Sequence, residues 1–274
     1  MAKDKVPITV EEFAATKNYL APSLFSFGFP ISEYDISKAN INILRSYQKI
    51  TEEEYHKLLI LPKMDREIEI GKRIIFDWTI QEIIDKGIAA AKYQFLTVNK
   101  IKLQNILRIA NDAFYLIGNN PILTSNVLPE GGTTPISFLY KKKFNIYMKL
   151  NSVLFFANDE GFEWDIDVIG IGNDKIEMHR DFISFLCSLS DQYIFSGKEM
   201  AIKYLNDFHQ KYTTNQLEIG FYREFNATGC FRYNQKNNTY LSLLPITGNN
   251  EQYLDRSYNL SLIRTIYAYL LAAN

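Results

Sequence analysis

The order of apolar and polar positions predicts a chain that mixes helices and strands. Between residues 64 and 96, apolar side chains recur at spacings of three and four, the pattern of one helical stripe that Gly71 and Gly87 are expected to bend or interrupt. The segment Thr51–Glu54 has the capping-box pattern, which predicts a short helix that ends near Pro62.

Strand signals lie on both sides of this helical region. Two β-rich arms, Ile106–Ala110 and Ala113–Ile117, flank Asn111 and Asp112, so we predict a tight hairpin with these two residues at its turn. The segment 33–44 has a strand-like start and then a helical pattern. Residues 1–30 are interpreted as a lead-in, whose prolines and glycine break any long element.

The stretch 121–135 is rich in proline and glycine and is predicted to be a loop. It divides a segment 1–120 from a C-terminal region 136–274, and we expect the two to pack as one unit. The C-terminal elements are predicted as strands at 136–140, 144–149, 152–157 and 162–171, helices at 179–190, 197–212 and 258–273, and a strand region at 217–243. The fold class is therefore predicted as α+β: an antiparallel sheet with helices on one face, plus a second β-rich C-terminal region.

The composition argues against several classes of protein and of binding site. The chain has 30 Lys+Arg against 31 Asp+Glu and a net charge of −1, which argues against a surface that binds nucleic acid over its whole extent. Two cysteines and three histidines have no metal-ligand spacing. No apolar run is long enough to span a membrane, and no secretory signal is visible, so a cytoplasmic location is predicted.

Two aspartates carry the candidate chemistry. Asp35 and Asp112 each lie where a predicted strand ends, beside bulky apolar neighbours. Two-metal phosphoryl transfer needs carboxylates held on such a rigid platform, because Mg²⁺ prefers hard oxygen ligands. Each residue also has a structural interpretation, since aspartate caps helices and favours tight turns.

The two segments resemble motifs A and C of the palm domain of family A DNA polymerases. Asp35, Ser37 and the apolar positions up to Leu44 follow the motif A pattern, and Asp112 occupies the turn of a motif C-like hairpin. The resemblance implies that Asp35 and Asp112 are the catalytic aspartates that bind Mg²⁺ or Mn²⁺. It covers about 25 residues.

The chain also departs from that family. Ala113 stands where motif C has a glutamate, and Asn40 where motif A has one. Only about 65 residues separate the motifs, so the fingers domain is missing, and no proofreading domain fits. Lys72 and Arg73 are candidates for holding phosphates.

With Lys38 and Asn40, which lie in the motif A-like segment, these two residues make up the predicted substrate-binding set. The sequence therefore predicts a reduced, phage-encoded, palm-like protein that acts on nucleotides or nucleic acid through Mg²⁺ or Mn²⁺, with reduced or lost activity. The alternative is a non-catalytic phage-type protein that binds a host or virion protein.

Overall fold

The computed structural model describes residues 7–159, 164–170, 179–222, 232–234, 239–241 and 257–273. The chain forms two compact units. The first consists of Met1–Pro22 and Ile31–Lys143, and the second of Ser23–Pro30 and Phe144–Asn274. The predicted loop 121–135 lies inside the first unit.

Five α-helices of the first unit are described: α1 (Val10–Ala15), α2 (Ala39–Ser46), α3 (Glu52–Ile60), α4 (Lys63–Phe76) and α5 (Thr79–Val98). The capping box of α3 is confirmed, because Thr51 and Glu54 bond each other's backbone N–H groups. The predicted interruption of the 64–96 helix at its glycines is wrong. The break lies at Asp77, whose extended backbone ends α4 and whose carboxylate accepts hydrogen bonds from the N–H and hydroxyl groups of Thr79.

The strands of the first unit form an antiparallel sheet with the order β1-β3-β4-β2-β6, and β5 pairs with β6. Their bounds are β1 (Asn18–Leu20), β2 (Phe25–Ile36), β3 (Ile106–Ala110), β4 (Ala113–Ile117), β5 (Asn126–Val127) and β6 (Ile136–Leu150). The predicted hairpin is confirmed at both of its arms. Strands β2 and β6 each contribute residues to both units.

Two strand predictions need correction. Residues 1–30 are not only a lead-in, because they form α1 and β1, and β2 continues through Gly28 and Pro30. The two strands predicted at 136–140 and 144–149 are one strand, β6, which runs through the three intervening lysines. Alternating strand side chains allow charged residues on an exposed face without ending the strand.

The core of the first unit lies between one face of this sheet and the helices. Phe95 of α5 stacks on Phe138 of β6 at 4.2 Å and on Phe114 of β4 at 5.9 Å, and Tyr34 of β2 lies 5.7 Å from Phe95. Since side chains alternate along a strand, residues next to these aromatics lie on the opposite face of the sheet. Asp35 is one of them.

The second unit has its own apolar core. Within it, strands β7 (Val153–Asp159) and β8 (Trp164–Ile169) form an antiparallel sheet with the C-terminal part of β6, in the order β6-β7-β8. Three helices, α6 (Arg180–Ser196), α7 (Lys198–Thr213) and α8 (Ser257–Ala272), contribute apolar side chains to this core. These helices confirm the predictions for this region.

The predicted strand region 217–243 is described only in part. It contains a 3₁₀ turn (Ile219–Tyr222) and two short paired strands, β9 (Arg232–Asn234) and β10 (Thr239–Leu241). Its remaining residues from 223 onward lie outside the described part of the chain. The mixture of helices with an antiparallel sheet confirms the α+β class. Within the described ranges, no helix is both long and apolar enough to cross a bilayer.

Candidate carboxylate site

The β3–β4 hairpin places Asp112 at its turn. Asn111, the other turn residue, has a positive φ of 52°, a conformation that asparagine tolerates better than most residues. Its N–H donates to the carbonyl oxygen of Lys17 over 2.6 Å. The turn is therefore fixed to the segment between α1 and β1, and so is the position of Asp112.

Strand β2 brings Asp35 to the same place. Asp35 pairs with Ala113 across the antiparallel β2–β4 ladder, and the N–H of Ile36 donates to the carbonyl oxygen of Asp112 over 3.3 Å. The carboxyl groups of Asp35 and Asp112 are hydrogen-bonded to each other. The structure thus joins the two candidate aspartates, which are distant in sequence.

The two carboxyl groups share an environment that disfavours two negative charges. Burial and the charge of Asp35 raise the pKa of Asp112 to about 6. Burial also raises the pKa of Asp35, although the positive charge of Lys141 opposes this rise. A hydrogen bond between two carboxyl groups needs one proton, so the pair holds a proton more readily than two separate aspartates would.

Lysines lie around the pair. Lys141 of β6 places its Nζ 3.9 Å from Oδ2 of Asp35, and both side chains are partly exposed. Lys63, the first residue of α4, is also close enough to lower the pKa of Asp35. Positive charge is therefore present beside the carboxyl groups, on residues that the sequence did not single out for this site.

Lys92 of α5 is the functional candidate that sequence reasoning missed. Its side chain is only 1% exposed, and its Nζ donates to the carbonyl oxygens of Thr16 (2.6 Å) and Asn111 (3.0 Å). Burial lowers the pKa of Lys92 to about 8, while the charge of Asp112 opposes this change. A signal existed, because Lys92 follows Ile88 by four residues and precedes Phe95 by three, which places a lysine on the buried stripe.

The predicted substrate-binding residues have other neighbours. Asn40 donates to Glu67 over 2.6 Å, and Lys38 precedes α2 with a positive φ of 45°. Their role toward a substrate stays a prediction.

Lys72 and Arg73 likewise contact acidic side chains. Lys72 pairs with Glu69 at 2.6 Å, and Arg73 pairs with Glu54 at 3.1 Å. These ion pairs lie in the α3–α4 region, and the role of both residues toward a substrate stays a prediction.

The carboxyl oxygens of Asp35 and Asp112 suit a hard divalent cation. Two carboxyl groups offer hard oxygens, and Mg²⁺ is commonly held by one or two carboxylates together with waters and phosphate oxygens. No cluster of three or more His, Cys, Asp or Glu side chains with ligand geometry occurs among the described residues. Asp35 and Asp112 could therefore hold a hard divalent cation, with its other ligands supplied by solvent or by a substrate.

Comparisons with known proteins identify a phage family and give no support for a DNA polymerase palm domain. A search of curated proteins gave no match. A family model described as the bacteriophage PBS1 gene 130 protein matches residues 16–272, nearly the whole chain. The chain therefore belongs to the bacteriophage PBS1 gene 130 protein family.

Proposed function

We propose that this phage protein binds a divalent cation, Mg²⁺ or Mn²⁺, through Asp35 and Asp112, and uses it in phosphoryl transfer to or from a nucleotide or nucleic acid. One observation carries the proposal. Two carboxyl groups from separate sheet segments meet within hydrogen-bond distance at the end of β2 and the β3–β4 turn.

The charge state of the pair favours a cation. Burial, and after it the negative charge of the neighbouring Asp35, raises the pKa of Asp112 to about 6, so the two carboxyl groups do not both ionise without a cost in free energy. A divalent cation that replaces the shared proton removes the repulsion between the carboxylates and neutralises both groups. Such an ion would supply electrostatic stabilisation of the phosphoryl group and activation of the attacking oxygen.

Other residues of the chain would position the carboxyl pair and contact the phosphate groups of the substrate. Lys92 fixes the turn that carries Asp112, because it bonds the carbonyl oxygen of Asn111. Lys141 and Lys63 are in the electrostatic range of Asp35 and could contact phosphate oxygens when a cation occupies the pair. The predicted substrate residues Lys38, Asn40, Lys72 and Arg73 belong to the same unit as the carboxyl pair.

Calorimetry with Mn²⁺ tests the binding step. The wild-type protein is expected to bind Mn²⁺ at pH 7.5, and Asp112→Asn and Asp35→Asn should each weaken binding at least tenfold. Asp207→Asn, which removes an exposed carboxylate of α7 in the second unit, is the matched control and should bind as the wild type does. Absence of Mn²⁺ binding by the wild type, or equal binding by Asp112→Asn, contradicts the proposal.

Nucleotide incorporation on a primed template tests the chemical step. Incorporation that needs Mg²⁺ or Mn²⁺ and disappears in Asp112→Asn, but not in Asp207→Asn, is the expected result. Mn²⁺ binding without incorporation under any template or ion condition would limit the proposal to a metal-binding protein.

A second candidate function is a non-catalytic protein that binds a host or virion protein. The observation that favours it is the internal pairing of the acidic residues, since Lys141 lies beside Asp35 and Lys92 carries positive charge near Asp112. Such pairing can neutralise the site without a metal. Co-purification of a defined phage or host protein, together with no uptake of Mn²⁺, would favour this function.

A further inference from the structure

Helix α4 exposes large apolar side chains along one side. Met64, Ile68, Ile75 and Trp78, the last just beyond the end of the helix, are between 50% and 82% exposed. Exposed apolar groups of this size, close together on one element, indicate a surface that is covered by another molecule.

The exposed residues have the spacing of a helix-pairing seam. From Met64 through Ile68 and Gly71 to Ile75 the intervals are four, three and four residues. A Cβ added at Gly71 would meet no atom within 4 Å, so the helix backbone is open to close approach there. Ile70, on the other side of α4, is buried in the core of the first unit.

We propose that this seam of α4 docks against α4 of a second copy of the protein, with the two helices antiparallel and related by a two-fold axis. The spacing is the same when it is read backward, so Ile68 faces Gly71 of the second copy and Met64 faces Ile75. A two-fold axis repeats every contact, which makes one self-complementary helix sufficient for the interface.

Charge complementarity supports a second copy as the occupant. In this register the exposed Asp65 of one helix lies beside Lys72 of the other, and the axis creates the reciprocal pair. Lys72 contacts Glu69 on its own helix at 2.6 Å and is more than half exposed, so it can also contact a carboxylate outside the chain. Both side chains flank the apolar seam on the same side of α4.

The length of the helix limits the strength of the dimer. A helix of 14 residues is only about 21 Å long, so this contact buries less than the roughly 800 Å² per partner of a typical stable interface. The dimer is therefore expected to form at concentrations on the order of 10–100 μM and to dissociate on dilution. This inference does not depend on the carboxylate site.

Sedimentation velocity between 1 and 200 μM tests the seam. The wild type should change from monomer to dimer over this range, and Ile68→Asp and Ile75→Asp should each remain monomeric. Leu123→Asp is the matched control, since Leu123 is an exposed apolar residue (68%) of the same unit outside α4, and it should dimerise as the wild type does. Thermal unfolding of each variant shows that it is folded.

Charge exchange tests the orientation. Asp65→Lys and Lys72→Asp should each weaken the dimer about tenfold, because each change places like charges opposite one another twice. A mixture of the two variants should restore association, since only the heterodimer then has opposite charges at both positions. An antiparallel contact requires this result.

Three results would overturn the proposal. These are a monomeric wild type at 200 μM, a dimer that survives Ile68→Asp and Ile75→Asp, or charge variants that associate no better together than alone. In the first case, a partner other than a second copy would have to cover the seam.

Discussion

The two units differ in the types of side chain that they bury. The described core of the second unit is apolar and aromatic, with Phe185 and Phe208 stacked at 3.7 Å. The first unit also has an apolar core, but it buries Lys92 and Arg66, and it carries the hydrogen-bonded carboxyl pair. No Lys, Arg, Asp or Glu is buried among the described residues of the second unit.

This difference indicates a division of roles. Apolar burial stabilises a fold in proportion to area, whereas a buried charge costs free energy unless partners satisfy it. The first unit buries charged side chains despite this cost, and it also exposes an apolar seam on α4. Stability alone does not explain these two features. The first unit is therefore the place to look for function, and the following variants test that contrast.

The largest effect is expected in the aromatic core of the second unit. Phe185→Ala should lower the free energy of unfolding by about 3–5 kcal/mol, because it leaves a cavity beside Phe208. Phe195→Ala on the same helix changes a 68% exposed ring and should cost less than about 0.5 kcal/mol. Urea denaturation measures both, and a large loss of Mn²⁺ affinity in folded Phe185→Ala would break the contrast between the units.

Removal of the buried lysine should have the next largest effect. Lys92→Met leaves the carbonyl oxygens of Thr16 and Asn111 without their donor, so we expect a loss of roughly 2–4 kcal/mol in unfolding free energy. Lys86→Met, an exposed position on the same helix, is the control and should be nearly neutral. A stable Lys92→Met protein would mean that the buried amine contributes little to the hairpin turn.

Two helical glycines of the first unit should respond in opposite directions. A Cβ at Gly87 of α5 would overlap the side chain of Ile43 and lie 3.0 Å from Tyr47, so Gly87→Ala should cost about 1–3 kcal/mol. Gly71→Ala on α4 meets nothing and should stabilise the protein by about 0.5–1 kcal/mol through helix propensity. Equal effects in thermal unfolding would contradict the close packing of α5 on α2.

The smallest effect is the pH dependence of the carboxyl pair. The pKa of Asp112 is about 6 in the folded protein and 3.8 for an ordinary aspartate, so the folded state holds more protons between these values. The proton that the folded state holds on Asp112 stabilises this state fully below pH 4. This stabilisation is lost as the pH rises through 6.

Asp112→Asn removes this loss and should stabilise the metal-free protein by roughly 1 kcal/mol at pH 7. Thermal unfolding from pH 4 to pH 7.5 with a chelator compares it with the wild type. Two parallel curves would show that the pKa of Asp112 is not raised in the folded protein.

Several elements could be predicted because neighbouring residues decide them. The hairpin arms were predicted at the bounds that the structure has, since the strand pattern and the Asn111–Asp112 turn act over a few residues. The capping box at Thr51–Glu54 could be predicted for the same reason, because it depends on two residues that are three positions apart. The break at Asp77 was missed because the apolar spacing continues across it, and the side-chain hydrogen bonds of Asp77 end the helix.

Local patterns alone predicted the α+β class and the hairpin, because both depend on periodicity and on turn chemistry within short segments. The folded chain brings Asp35 and Asp112 together, buries Lys92 beneath the turn and leaves exposed the side of α4 that bears Ile68 and Ile75. The physical reason is that burial and long-range contact are set by strand order and helix packing. The sequence pattern places Lys92 on the buried stripe of α5, but no local pattern records strand order or helix packing.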